Sequence, residues 1–284
     1  MNPLLQSRRF IVSFLRLTRV WNLVILAVSQ YFTALMLIPP ATVFDIRFFL
    51  LVTATGLIAA AGYIINDYYD IKIDLVNKPE RVVIGHGITR RYAILLHSVL
   101  SFFGIAIGFL LDWRIGVINF FSVFLLWWYS NDLKRQPFIG NMVVALLTAL
   151  SIVIVDALYR TGNMLIFIYA SFAFFMSLIR EIIKDMEDLK GDGTFGCKTL
   201  PIVWGIRKTK LLIYVIIVLF VLSVVFLNRF YVQLPLHYFI VFLFTPLVWL
   251  FIQLVRADTK KDFAWLSNFC KLILLLGVFS MAFV

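Results

Sequence analysis

Six aspartates in two short stretches form the pattern with the clearest chemical content in this 284-residue sequence. The first stretch reads Asn66-Asp67-Tyr68-Tyr69-Asp70-Ile71-Lys72-Ile73-Asp74, and the second reads Lys184-Asp185-Met186-Glu187-Asp188-Leu189-Lys190-Gly191-Asp192. In each, the aspartates are spaced by three residues and then four. On a helix, positions i, i+3 and i+7 share one face. Each stretch therefore aims three carboxylates in one direction, with Gly191 expected to break the second helix just before Asp192. Three like charges held together near a bilayer cost several kcal/mol unless compensated. An all-oxygen ligand set selects a hard divalent ion, and Mg²⁺ binds through one or two carboxylates plus phosphate oxygens and water. Two facing clusters of this kind could hold a diphosphate through bridging metals. Incidental acids at solvated helix ends are the bland alternative. Against it, the chain has only 15 Asp and Glu, and seven of them lie in these two stretches. Asp67 and Asp185 lie 118 positions apart, which hints at a diverged internal repeat.

A bound diphosphate needs further positive charge. Lys78 and Arg81 follow the first acids within Asn77-Lys78-Pro79-Glu80-Arg81, and Lys198 follows the second. Lys134 and Arg135 lie in a short loop after Tyr129. Arg forks and Lys point charges are the usual partners of phosphate.

The elements that must position these residues are membrane helices. The chain is 62% hydrophobic with a mean hydropathy of +0.97, and only 14% of its residues are charged. Soluble domains are nearer 45–50% apolar. Nine apolar segments of spanning length are expected near 17–38, 46–66, 91–111, 115–131, 139–159, 163–184, 209–228, 235–255 and 264–284. They lack the alternation of a membrane barrel, so the fold class is all-α. With the N-terminus placed in the cytoplasm, the inside segments hold 20 of the 26 Lys and Arg, from Arg8, Arg9, Arg16 and Arg19 to Arg256, Lys260 and Lys261, while the outside segments hold Arg47, Arg114, Arg160 and Arg229. That split follows the positive-inside rule and puts both acidic stretches at the cytoplasmic face, in the loops near 66–91 and 184–208. It also accounts for the net charge of +11 without nucleic acid. The Arg-rich start leads straight into the first span and is expected to be retained. A prokaryotic plasma membrane is the expected location, and residues 1–284 are read as one domain. Cys197 and Cys270 match no metal or redox spacing.

At this point the residues resemble a family. Asn66 to Asp74 matches the NDxxDxxxD signature of UbiA-type intramembrane prenyltransferases, and Asp185 to Asp192 is similar to the family's second aspartate motif. The resemblance covers essentially the whole chain. It implies nine helices around a central cavity open to the cytoplasmic face. It implies that Asp67, Asp70, Asp74, Asp185, Asp188 and Asp192 hold Mg²⁺ and a prenyl diphosphate, with Asn66 beside them. Lys78, Arg81, Lys134 and Lys198 would contact the phosphates. Arg19 and Asn22 match an Arg/Asn pattern lining the same cavity, and Tyr129, Tyr68 and Arg180 are further candidates there. Asp74 to Arg81 is similar to the branch with an Asp-x-x-Asn-x-Pro-x-Arg pattern, which includes digeranylgeranylglyceryl phosphate synthase and chlorophyll synthase. That branch commonly continues Pro-Ile-Pro-Ser-Gly, where this chain has Val82-Val83-Ile84-Gly85-His86-Gly87.

The implied reaction is Mg²⁺-dependent transfer of a prenyl group to a lipid-like acceptor, with a geranylgeranylglyceryl phosphate-type alcohol preferred. A quinone precursor or a porphyrin is the alternative acceptor. His86 could assist the acceptor, although an ordinary loop histidine is the simpler reading. His97 and His237 carry no motif, and Asp156 reads as an interfacial acid. A cation-coupled transporter is the competing class, but its ion sites would lie near the bilayer midplane, whereas these acids sit at helix ends beside basic loops.

Overall fold

The structure, a computed structural model, describes residues 11–38, 44–85, 87–232 and 236–284, and of Arg81, Val232, Leu236 and Phe239 only the backbone. Arg8, Arg9 and His86 lie outside the described residues. The helices are α1 (11–17), α2 (Val20–Leu37), α3 (Ile46–Asn77), α4 (Arg90–Leu111), α5 (Trp113–Asn131), α6 (Ile139–Tyr159), α7 (Met164–Glu187), α8 (Leu189–Thr194), α9 (Leu200–Leu227), α10 (Leu236–Phe239), α11 (Thr245–Arg256) and α12 (Lys260–Ser280). Short 3₁₀ turns follow α3, α5 and α12. Among the described residues the only strand-like pairing is a single bridge between Ile84 and Ile88. The all-α expectation therefore holds.

The chain divides into two compact units. The first comprises Met1–Val28 and Val43–Leu133, the second Ser29–Thr42 and Lys134–Val284. In the first unit α3, α4 and α5 pack closely because small residues face the contacts. A Cβ added at Gly104 of α4 would come within 2.6 Å of Ile58 and 3.1 Å of the Ala54 carbonyl of α3. Such close approach is how helices gain packing energy where lipid removes the hydrophobic drive between them. His97 fastens the same pair, with Nδ1 3.1 Å from the Ala61 carbonyl oxygen. Beneath the first acidic stretch, Leu17, Ile64, Ile84, Ile88 and Ala93 form a buried cluster. It draws α1 and the loop after α3 onto α3.

The second unit is built on α7. Met176, Ile179, Ile182 and Ile183 join Ile213 and Phe220 of α9, Leu247 and Leu250 of α11, and Phe263, Leu266 and Ile273 of α12 in one core. Cys197 and Cys270 are buried free thiols. Lys210, one of the 20 Lys and Arg assigned to the inside segments, is buried in α9. Its ammonium donates to the carbonyls of Val255 and Ala257 and to Asp258 Oδ1, closing the C-terminus of α11. Unpartnered carbonyls at a helix end attract such a cation. Asp156, read from the sequence as an interfacial acid, lies near the end of α6. It is 8% exposed, and its Oδ1 accepts from the backbone N–H groups of Thr161 and Gly162 at 3.1 and 3.0 Å, closing the turn from α6 to α7.

Seven helices among the described residues are long and apolar enough to cross a membrane: α2, α3, α4, α6, α7, α9 and α12. The protein is thus an integral, multi-pass membrane protein. Among the described residues each of the nine expected segments overlaps a helix, but two do not meet that measure, so the count of nine spans is not established. Helix α5 has 19 residues, with Arg114, Asn119, Ser130 and Asn131 diluting its apolar character. The segment near 235–255 is interrupted by π-helix at Ile240–Phe244, and α11 restarts at Thr245-Pro246.

Candidate active site

The first acidic stretch lies wholly within α3, which runs unbroken through Asn77. Asp67, Asp70 and Asp74 therefore share a helical face. All three are half-buried, while Lys72, Leu75 and Val76 are exposed on other faces. Asn66 is half-buried beside them. The helix ends at Lys78, whose N–H donates to the Asp74 carbonyl at 2.7 Å, and Pro79 opens the 3₁₀ turn carrying Arg81. Arg90 at the start of α4 places its guanidinium 5.2 Å from the centroid of Tyr68.

Arg19 is delivered to this face by the turn between α1 and α2. Its φ is +50°, in the left-handed region that costs an L-residue about 1–2 kcal/mol. Such conformations persist where the surroundings over-determine them, typically at functional sites. Here Thr18 Oγ1 donates to the Phe14 carbonyl at 2.9 Å, and the Asn22 N–H donates to the Arg19 carbonyl at 2.7 Å. Arg19 Nη2 then donates to Asp67 Oδ1 at 2.7 Å, and the guanidinium carbon sits 4.9 Å from the centroid of Tyr63. Asn22 lies half-buried on the first turn of α2, and Tyr129 half-buried near the end of α5.

The second stretch is built differently. Helix α7 stops at Glu187, and Asp188 takes φ −94° and ψ 7° before α8 begins. The discontinuity is thus at Asp188, not just before Asp192 as expected. Gly191 is buried inside α8. The step is small, because Asp188 N–H donates to the Lys184 carbonyl at 2.9 Å and Asp192 N–H to the Asp188 carbonyl at 3.2 Å. The helical i to i−4 pattern thus carries through the motif, and Asp185, Asp188 and Asp192 are all half-buried. Asp192 and Glu181 lie close enough to Asp185 for their charges to act on it. Asn141, on the first turn of α6, donates its Nδ2 to Asp185 Oδ2 at 2.9 Å. One turn before Asp185, Glu181 accepts from Arg180 Nη1, and Lys184 Nζ lies 3.8 Å from its other oxygen.

The loop after this motif folds back on the turn that precedes α6. Cys197 N–H donates to the Asp192 carbonyl at 3.0 Å, and Lys198 N–H to the Arg135 carbonyl at 2.7 Å. The expected phosphate contacts Lys134 and Lys198 are so brought to adjoining backbone in the second unit. Arg19 and Asp67 are joined in the first, as are Asp74 and Lys78 through their backbone. Arg180 is tied to Glu181.

Tyr63, Asn141 and Glu181 are the functional candidates that sequence reasoning missed. Two carried a signal. Positions 63, 67, 70 and 74 repeat as 181, 185, 188 and 192, so extending each acidic register back by one turn reaches Tyr63 and Glu181. Asn141 had no such mark.

The ligand set fits Mg²⁺. Every donor at both motifs is oxygen, the preference of a hard ion. Among the described residues no three His, Cys, Asp or Glu side chains converge as a ready-made cage. A site of that kind suits an ion that takes one or two carboxylates and completes its shell with phosphate and water.

Residues 27–277 match the model of the UbiA prenyltransferase family. The chain belongs to that family and is a prenyltransferase, which sets aside the transporter reading. Among its relatives is digeranylgeranylglyceryl phosphate synthase of Sulfurisphaera tokodaii, 34% identical over 251 residues that cover 88% of this chain and 89% of the relative. Solved structures share the fold. One, giving structural and mechanistic insights into digeranylgeranylglyceryl phosphate synthase in membranes, has a TM-score of 0.71 at 23% identity, covering 97% of this chain and 99% of that one. Another is a UbiA homolog from Archaeoglobus fulgidus bound to GPP and Mg²⁺, with a TM-score of 0.70 at 17% identity, covering 96% of this chain and 100% of that one.

Proposed function

We propose that this chain transfers a prenyl group from a prenyl diphosphate to the hydroxyl of a geranylgeranylglyceryl phosphate-type alcohol, in a Mg²⁺-dependent reaction at the cytoplasmic face of the membrane. The observation that carries the reading is the face of α3 bearing Asp67, Asp70 and Asp74, half-buried and joined by Arg19 across 48 positions of sequence. The names of its relatives support the acceptor, and so does the Asp74-to-Arg81 pattern.

The six aspartates, with Asn66, would hold Mg²⁺ and the diphosphate. Bound Mg²⁺ supplies charge neutralisation on the departing diphosphate. Lys78, Arg81, Lys134 and Lys198 add positive charge to the phosphate oxygens, and Arg19 does so from its place on Asp67. That charge is worth most where it develops, as the allylic C–O bond lengthens. The prenyl carbon then bonds to the acceptor oxygen, which gives up its proton, and diphosphate leaves. Asn22, Tyr129 and Tyr68 line the substrate space, where aromatic faces shield a cation-like carbon from water. Residues 1–284 are read as one catalytic domain, with the N-terminus cytoplasmic, a placement that the distribution of Lys and Arg supports.

Purified protein incubated with Mg²⁺, labelled prenyl diphosphates of several lengths and an acceptor panel tests this. The expected product is the ether of the glyceryl phosphate alcohol. Turnover only with an aromatic quinone precursor or a porphyrin would move the acceptor assignment. Undiminished turnover in EDTA would end the metal reading.

A further inference from the structure

Each acidic motif has a resident cation, and in each a residue one turn upstream of the first aspartate holds it. In the first, Tyr63 lies four positions before Asp67 and carries the Arg19 guanidinium over its ring at 4.9 Å. In the second, Glu181 lies four positions before Asp185. Its side chain is 8% exposed, lies 3.8 Å from Lys184 Nζ, and also accepts from Arg180 Nη1. Arg180 is itself mostly buried, its side chain 20% exposed.

A buried carboxylate between two cations is fixed by them and fixes them. Removing one member of such a group leaves an uncompensated charge, at a cost well above that of the contact itself. Here a released Lys184 would have a carboxylate nearby, since its charge already acts on Asp185. Asp185 is the next turn of the same helix face, and its Oδ2 is already engaged by Asn141.

We propose that Glu181 is a positioning residue for the second aspartate motif: held in place by Arg180, it anchors Lys184 and so keeps that charge from settling on Asp185 in competition with Mg²⁺. The inference rests on the reading above, that Asp185 is a metal ligand. Glu181 need touch neither substrate nor metal to act in this way. Its own negative charge, one turn away, works in the same direction by adding to the field that attracts the ion.

The test uses full-length protein in detergent, with Mg²⁺ titrated in the presence of inorganic pyrophosphate and binding read as a thermal shift. Turnover is measured in parallel. For Glu181→Gln we expect the Mg²⁺ concentration at half-effect to rise about tenfold in both readouts, the size of change a single lost charge contact of about 1.4 kcal/mol produces. Glu181→Asp should recover part of it. The double variant Glu181→Gln with Lys184→Gln should move the value back toward wild type, because the competing cation is gone; such non-additivity is the mark of residues acting through each other. A Glu181→Gln variant whose melting temperature and turnover fall while its Mg²⁺ half-effect stays put would overturn the proposal and leave Glu181 a purely structural residue. So would an unchanged half-effect in a fully stable variant. If wild-type protein shows no Mg²⁺-dependent shift with pyrophosphate at all, the failure belongs to the metal reading rather than to Glu181.

Discussion

The two acidic motifs share a spacing and differ in how their charge is balanced. Motif one sits on an unbroken helix and takes its counter-charge from far away in sequence, through Arg19 at a strained turn. Motif two sits across a discontinuity at Asp188 and carries its cations, Arg180 and Lys184, on the same helix as its acids. Its first aspartate is held instead by a neutral amide, Asn141. The same 3–4 register therefore does not dictate the same environment. Motif one gains the Arg19 cation once α1 and α2 have docked on α3. Motif two is largely compensated by its own turn of helix.

The comparison is tested first at its strongest point. Asp67→Ala and Asp185→Ala should each cut prenyl transfer by about a thousandfold or more, since each removes a ligand of the ion that neutralises the leaving group. Asp67→Asn and Asp185→Asn should do the same while retaining shape. Near-normal turnover in either pair would show that one motif is a bystander. The next largest effect separates the motifs. Arg19→Gln removes a charge-assisted bond worth up to about 3 kcal/mol, so kcat/KM for the prenyl diphosphate should fall by about a hundredfold. Asn141→Ala removes a single amide donor to a carboxylate, worth about 1.5 kcal/mol, and should cost about tenfold. Steady-state kinetics on both variants decides the point: equal losses would mean that the long-range guanidinium and the local amide do the same job, and the asymmetry drawn here would be wrong.

Much of this was legible in the sequence because bilayer physics is restrictive. Apolar length fixed the helices, and the rarity of acids in a chain with 15 of them made two clustered triplets conspicuous. The reach of α3 through Asp74 was not read: the first acidic stretch was expected in the loop near 66–91, whereas the run from Ile64 to Asn77, free of Gly and Pro, stays helical throughout. What was hidden depended on tertiary contact. Nothing in the local pattern at Lys210 says that its ammonium turns inward to close α11, because its neighbours Arg207 and Lys208 are exposed and spelled alike. Asp156 reads as any acid near a span end until its loop folds over it. The break at Asp188 was misplaced to Gly191 because glycine is the usual helix stopper, yet here the glycine is buried within α8 and the aspartate takes the bridging conformation. The π-helix at Ile240–Phe244 likewise left no mark in an apolar run.

The smallest expected effect is the sharpest probe of the parallel between the motifs. Tyr63 and Glu181 occupy matching positions, but one holds its cation through a ring face and the other through a carboxylate. A cation–π contact at a partly exposed site is worth about 0.5–1 kcal/mol, whereas Arg19 keeps its direct bond to Asp67 whatever stands at position 63. Tyr63→Leu should therefore preserve the ion pair, raise KM for the prenyl diphosphate by about two- to fivefold, and leave kcat close to wild type. Tyr63→Phe keeps the ring and should be nearly silent. The comparison to make is with Glu181→Gln under the same conditions, where the Mg²⁺ requirement is the quantity that moves. If Tyr63→Leu also shifted the Mg²⁺ requirement tenfold, the ring would be governing the metal as the carboxylate does, and the two motifs would be equivalent in mechanism as well as in spacing.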